Sequence, residues 1–199
     1  MISPILPSNW TAQIHDAMAA FPAGRDFVLT NWDGKDPRGT NALGVLANHP
    51  DLARAFLGFN NHVATRASLP RRTCELLILR TCWLCRSEYE YVQHRVLGRR
   101  AGLTAEELAR IDVGPDADGW GPIDADLLRA VDEIVQQSRI KDSTWSRLSE
   151  HFDIRQQMDI PFVVGCYQVL STAFNSFGLC LEGDLSKDDL EVIERMRTS

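Results

Sequence analysis

Apolar residues recur at spacings of three and four along almost the whole chain, the period of amphipathic helices. The segment after Asp51 carries Leu52, Phe56, Leu57, Phe59 and Val63. The segment after Asp124 carries Leu127, Leu128, Val131, Ile134 and Val135. The longest apolar stretch, Ile154 to Leu181, predicts a buried helix presenting Phe162, Val163, Cys166, Val169, Leu170, Ala173, Phe174 and Phe177, broken near its start by Pro161. No run alternates with a period of two, and no Asn-Gly hairpin signal occurs. The pattern therefore predicts an all-α protein.

Punctuation residues divide the chain. Pro4 and Pro7 predict an extended arm, and Ser8 is placed to cap a helix running through Trp10, Ile14, Met18 and Phe21. Pro22 to Asn41 holds Gly24, Gly34, Pro37 and Gly39 among charges and reads as a long loop, within which Phe27, Val28, Leu29 and Trp32 can pin onto a neighbour. Asp51 reads as a helix cap, and Ser68 with Pro70 starts the next helix, from about Leu69 to Trp83. Arg86-Ser87 turns into a helix closed by Gly102. Thr104 and Glu107 form a capping box, and Ser186 opens a last polar helix. The expected organisation is an arm, helix and loop over 1–50, a helical domain over 51–185 and a C-terminal helix over 186–199.

Composition removes several function classes. The chain has 199 residues, 44% of them hydrophobic, enough for a sizeable core. A net charge of −6 with no basic patch argues against nucleic-acid binding; Arg71-Arg72 and Arg99-Arg100 read as solvated helix faces. No stretch reaches the length of a membrane span, and MISPILPSNW lacks the form of a signal peptide. An odd count of five cysteines suits reduced thiols in the cytoplasm.

The chemistry concentrates between Glu75 and His94, in ELLILRTCWLCRSEYEYVQH. Ser87, Glu90 and His94 share one helix face, and Glu75 stands just before an apolar run on the preceding helix. Carboxylates and an imidazole facing inward make a costly core and a sensible proton-transfer site. The bland reading of Glu90 and His94, a surface pair, stands about level with this one. Cys82-x-x-Cys85 has redox spacing, but two small apolar fillers at a helix junction are the stronger reading. No further ligands at suitable spacing complete a zinc site. Cys74, Cys166 and Cys180 read as inert, and His15, His49, His62 and His151 as surface or boundary residues. Tyr167 and Asn175 interrupt an apolar face and could point polar tips into a cavity or bond to backbone. Trp32, Trp83 and Trp120 could wall a pocket or fill core.

The run E-L-L-I-L-R, then S-E-Y-E-Y-V-Q-H beginning twelve residues after the Glu, then R-x-A-G-L-T-x-E-E-L, resembles the carboxymuconolactone decarboxylase-like superfamily, which includes the alkylhydroperoxidase D-type proteins. Later segments, W-G-P-I-D-A-D-L-L-R-A-V-D-E-I and GCYQVLSTAFNSFGL, resemble its longer members. The resemblance implies a helical bundle built around a helical hairpin. In the peroxidase members it implies a Glu, a C-x-x-C and a His, at positions that fall here on Glu75, Ser87, Glu90 and His94. Both cysteine positions are replaced, and this chain's own C-x-x-C lies five residues upstream.

The resemblance thus implies an acid–base version of the site, with no metal or organic cofactor. In that version His94 is the central acid/base, Glu90 orients it, Glu75 relays a proton and Ser87 hydrogen-bonds substrate or water. The expected reaction is decarboxylation, or a related proton transfer, on a lactone or keto carboxylic acid. A thiol peroxidase or disulfide reductase using Cys82 and Cys85 is the first alternative, a non-catalytic small-ligand binding protein the second. The expected partners are a small-molecule substrate and further copies of the chain in a dimer, trimer or hexamer, with no nucleic acid and no membrane.

Overall fold

The computed structural model describes residues 1–34 and 36–198. Its helices are α1 (Ala12–Met18), α2 (Pro22–Asn31), α3 (Thr40–Leu46), α4 (Pro50–Thr65), α5 (Arg71–Leu84), α6 (Glu88–Arg100), α7 (Ala105–Ala109), α8 (Pro122–Gln137), α9 (Asp142–Ser149), α10 (Ile154–Phe177) and α11 (Lys187–Thr198), preceded by a 3-10 turn at Pro7–Asn9. No strand occurs among the described residues, so the fold is all-α. None of its described helices is long and apolar enough to cross a membrane.

The chain forms two compact units. The first comprises Met1–Arg66 with Ala173–Glu191. Its core gathers Trp10, Ile14, Met18, Val28, Leu43 and Leu57. The Trp10 indole donates to the Ile5 carbonyl at 2.8 Å, tying the N-terminal arm down. Thr11, not Ser8, caps α1 by accepting from the Ile14 N–H.

The expected loop of Pro22 to Asn41 is largely helical. Pro22 occupies the first turn of α2, where a missing N–H is harmless, and Val28 on that helix is buried in the core. Burial of one apolar stripe outweighs the weak propensity of Gly24. Lys35 lies outside the described residues. His49, rather than Asp51, caps α4, its Nδ1 accepting from the Leu52 N–H, while Pro50 and Asp51 fill the first turn.

The second unit comprises Ala67–Thr172 with Val192–Ser199 and is built around α5. Every residue from Thr73 to Trp83 is buried. This helix packs against α6 and α8. A helix covered on all sides must satisfy whatever polar groups it carries. Arg80 does so through Asp132 of α8, at 2.7 and 2.9 Å, and the carbonyls of Ile111 and Asp112, at 2.8 and 2.9 Å. Arg72 pairs with Asp124 of α8 and with Glu107, the capping-box residue of α7. Glu133 of α8 is buried for a structural reason: it accepts from the Lys141 N–H and the Thr144 hydroxyl at the start of α9.

Helix α10 continues through Pro161 instead of breaking there. One lost backbone hydrogen bond is outweighed by the buried face of Ile160, Val163, Val164 and Cys166. Phe162 and Val169, expected inside, are about half exposed, at 55% and 54%. The helix is apolar nearly all round, so its periodicity does not say which stripe faces inward. Cys180 lies past the end of this helix and is exposed.

The loop after α7 is locked to α5 through Arg80. Gly114 adopts φ +90, and a Cβ there would strike the Arg80 guanidinium. That guanidinium is held by four hydrogen bonds and cannot swing aside. Gly114→Ala is therefore expected to lower stability by about 2 kcal/mol or more, read as a reduced midpoint in urea unfolding followed by circular dichroism.

Candidate active site

The turn between α5 and α6 creates the site. The Arg86 N–H donates to the Trp83 carbonyl and the Ser87 N–H to the Cys82 carbonyl, the paired bonds of a Schellman closure. Arg86 takes the left-handed position, φ 52, usually given to glycine. Ser87 then serves as the N-cap residue of α6. This tight reversal lays the inward face of α6 over α5.

On that face the His94 Nδ1 lies 2.7 Å from Glu75 Oε2, and its Nε2 lies 3.4 Å from Glu90 Oε2. Glu75 is fully buried, while Glu90 and His94 are each 6% exposed. Behind Glu75, Arg71 one turn earlier on α5 places Nη2 2.5 Å from Oε1, an ion pair and not a well-aligned hydrogen bond. Charges thus alternate in a row: Arg71, Glu75, His94, Glu90. The Tyr167 ring of α10 packs edge-on against the imidazole, with centroids 4.8 Å apart.

Burial alone would push the His94 imidazole down. The carboxylate of Glu75, and after it that of Glu90, outweighs burial and raises the group from 6.5 to about 9. At neutral pH His94 is therefore an imidazolium that donates to both carboxylates.

Ser87 is fully buried, and its hydroxyl has no hydrogen-bond partner among the described residues. It does not cap its own helix by a side-chain bond. A hydroxyl left so carries a penalty of about 1–3 kcal/mol unless a water or ligand fills the place.

The cysteines sit elsewhere on the turn. Cys82 is fully buried in α5 and Cys85 is the half-buried C-cap residue of that helix. Cys85 therefore ends one helix and does not start the next, so it lacks the dipole that would favour a thiolate. Burial raises the Cys82 thiol well above its ordinary range, with Glu90 adding to the effect, and burial likewise raises Cys85. All five cysteines are unbridged thiols. Among the described residues no cluster of three or more His, Cys, Asp or Glu side chains is arranged to hold a metal ion.

The structure brings Glu75, Glu90 and His94 into contact and places Ser87 one turn from Glu90. His15, His49, His62 and His151 are exposed. Trp83 packs on Tyr91, Trp120 lies beneath the Arg110 guanidinium, and Trp32 packs on the core of the first unit. Asn175 is exposed to solvent. Two site members escaped the sequence reading. Arg71 was readable as the residue four before Glu75 but was assigned to a solvated face. Tyr167 was singled out as a polar tip, with nothing in the sequence to say what it met.

Residues 50–133 match the model of the carboxymuconolactone decarboxylase family. The matched residues span the whole hairpin and most of α8. The fold is shared with solved structures. The alkylhydroperoxidase AhpD core of a peroxidase-related protein from Ralstonia eutropha JMP134 aligns with a TM-score of 0.68 at 19% identity, covering 83% of this chain and 88% of that one. The debrominase Bmp8 in its apo form aligns with a TM-score of 0.72 at 10% identity, covering 98% and 97%. A Bmp8 variant in complex with 2,3,4-tribromopyrrole gives 0.67 at 12% identity, again covering 98% and 97%. At these identities the likeness is one of fold. No curated protein matches the sequence significantly.

The electrostatics have a direct consequence. His94 binds a proton more tightly folded than unfolded, so its contribution to stability is complete below about pH 6.5. That contribution is lost as pH rises through about 9. The expected decline between those limits is on the order of 3 kcal/mol. Urea unfolding from pH 6 to pH 10 measures it, and the His94 ring proton signals should titrate near pH 9. A ring that titrates below pH 7 would show that the carboxylates do not govern it.

Proposed function

We propose that the protein is a cofactor-free acid–base enzyme that moves a proton at a carbon next to a carbonyl, in a decarboxylation or related proton transfer on a lactone or keto carboxylic acid. The observation that carries this reading is the His94 imidazolium held between two buried carboxylates, with Glu90 at a position where the resemblance places a thiol in the peroxidase members.

The distances support a different division of labour from the one expected from sequence. Glu75, backed by Arg71, makes the short bond to Nδ1 and so fixes the ring. Glu90 makes the longer contact at Nε2 and is the group better placed to meet substrate. In a decarboxylation the carbon–carbon bond to the carboxylate breaks and its electron pair passes into the carbonyl as an enolate. Glu90 then delivers to carbon a proton drawn from His94 Nε2, and solvent restores the imidazolium. The net change consumes one proton and releases carbon dioxide. In an isomerisation Glu90 removes and returns the same proton. The orphaned Ser87 hydroxyl supports a role in holding substrate or water beside Glu90.

A screen of lactones and β-keto carboxylic acids for carbon dioxide release tests the reading. On a compound turned over by the wild type, His94→Ala and Glu90→Gln are each expected to lower kcat/KM by about 100-fold or more. Activity is expected to fall above about pH 9, as His94 loses its proton. Variants that retain the wild-type rate would end the proposal.

The thiol alternative needs a nucleophile that ionises, and both candidate thiols are pushed the other way. The double variant Cys82→Ser, Cys85→Ser is expected to turn over the same compound within about twofold of the wild type, because neither thiol belongs to the proposed relay. Peroxide is expected to leave the thiol count of the wild type unchanged, as measured with a chromogenic disulfide reagent. Rapid loss of two thiols would favour the peroxidase.

A further inference from the structure

We propose that Tyr167 is a catalytic residue whose hydroxyl donates to the substrate's carbonyl oxygen and stabilises the negative charge gathering there, which makes an enolisable ketone or lactone the substrate class. The inference rests on the acid–base reading above and adds the group that reading lacks. Proton transfer next to a carbonyl places charge on oxygen, and Glu90 and His94 are both occupied with the proton.

Three observations carry it. Tyr167 packs edge-on against His94 at 4.8 Å between centroids, so it belongs to the same cluster. The residue is 4% exposed, yet its hydroxyl makes no hydrogen bond among the described residues. A buried tyrosine usually finds a partner for its O–H, and a phenol left without one in a polar cluster is a donor that lacks its acceptor. The Ser87 hydroxyl, fully buried and without a partner among the described residues, lies on the helix that carries Glu90 and His94. The groups around Tyr167 also set its protonation. Burial raises the phenol well above its ordinary range, and Glu90, Glu75 and Cys166 push the same way, opposed only weakly by Arg71. Tyr167 is thus a neutral donor at every physiological pH and not a base. A preorganised neutral donor is the arrangement that stabilises an enolate without reorganisation. In the reaction above, the carbonyl oxygen receives the electron pair while the Tyr167 O–H stays intact and shortens its hydrogen bond to it.

Tyr167→Phe keeps the ring against His94 and removes only the donor. On the compound found in the screen, kcat is expected to fall roughly 100-fold, with KM changed by less than about threefold. Binding of 4-nitrophenolate, a stable planar oxyanion, followed by its absorbance, is expected to weaken about tenfold. The His94 titration is expected to stay near pH 9. The proposal is overturned if Tyr167→Phe turns over like the wild type, if wild type and variant bind 4-nitrophenolate equally or not at all, or if the His94 titration moves, which would make the role structural. If Tyr167→Phe is silent while His94→Ala and Glu90→Gln are inactive, the proton-transfer reading stands without Tyr167. If those two variants are active, that reading falls, and 4-nitrophenolate binding alone judges Tyr167.

Discussion

Glu75 is a carboxylate on a helix that is buried all round, and the arrangement of the hairpin answers to it. A charge in that position is tolerable only with a cation against it and its oxygens engaged. Arg71 reaches one oxygen from the preceding turn, and the His94 imidazolium reaches the other across the helix interface. Because His94 is then committed through Nδ1, its second nitrogen is aimed at Glu90. Removing His94 leaves Glu90 without its counter-charge in the row and Glu75 with Arg71 alone. The same alternation of sign that makes the row stable is what the proposed proton transfer would use.

The helix junction shows why one hairpin can support different chemistries. A Schellman closure, with Arg86 in the left-handed position, fixes where α6 begins and therefore which residues of its first two turns face Glu75. The side chains at Ser87 and Glu90 decide whether that face offers thiols or oxygens to the imidazole. The chain's own cysteines lie on the α5 side of the closure. They serve it as packing: Cys82 gives its carbonyl to Ser87 and buries its sulfur, and Cys85 ends the helix. Spacing alone resembles a redox motif, but the environment withholds the cation and helix N-terminus that would make a thiolate.

Much of this was legible in the sequence because helical geometry is local. Ser87, Glu90 and His94 fall on one face by spacing alone, and Glu75 stands out because a carboxylate seldom opens an apolar run. The capping box at Thr104 and Glu107 and the stop at Gly102 follow from side-chain chemistry within a few residues. Other features were not legible. Pro22 to Asn31 carries loop-like composition and folds as a helix because Val28 finds a core to enter. Phe162 and Val169 looked interior on a helix with no polar stripe to orient it, and both face outward.

The sequence by itself determined the all-α class, the helical hairpin, its family resemblance and three of the polar groups that meet in it. Each is encoded in periodicity or in contacts a turn or two apart. Only the tertiary structure decided that Glu75 and not Glu90 makes the short bond to His94, that Arg71 backs that carboxylate, and that Tyr167 stands beside the ring. Those facts depend on how α6 and α10 approach α5. That approach is set by the summed packing of residues distant in the chain, and no local pattern records it.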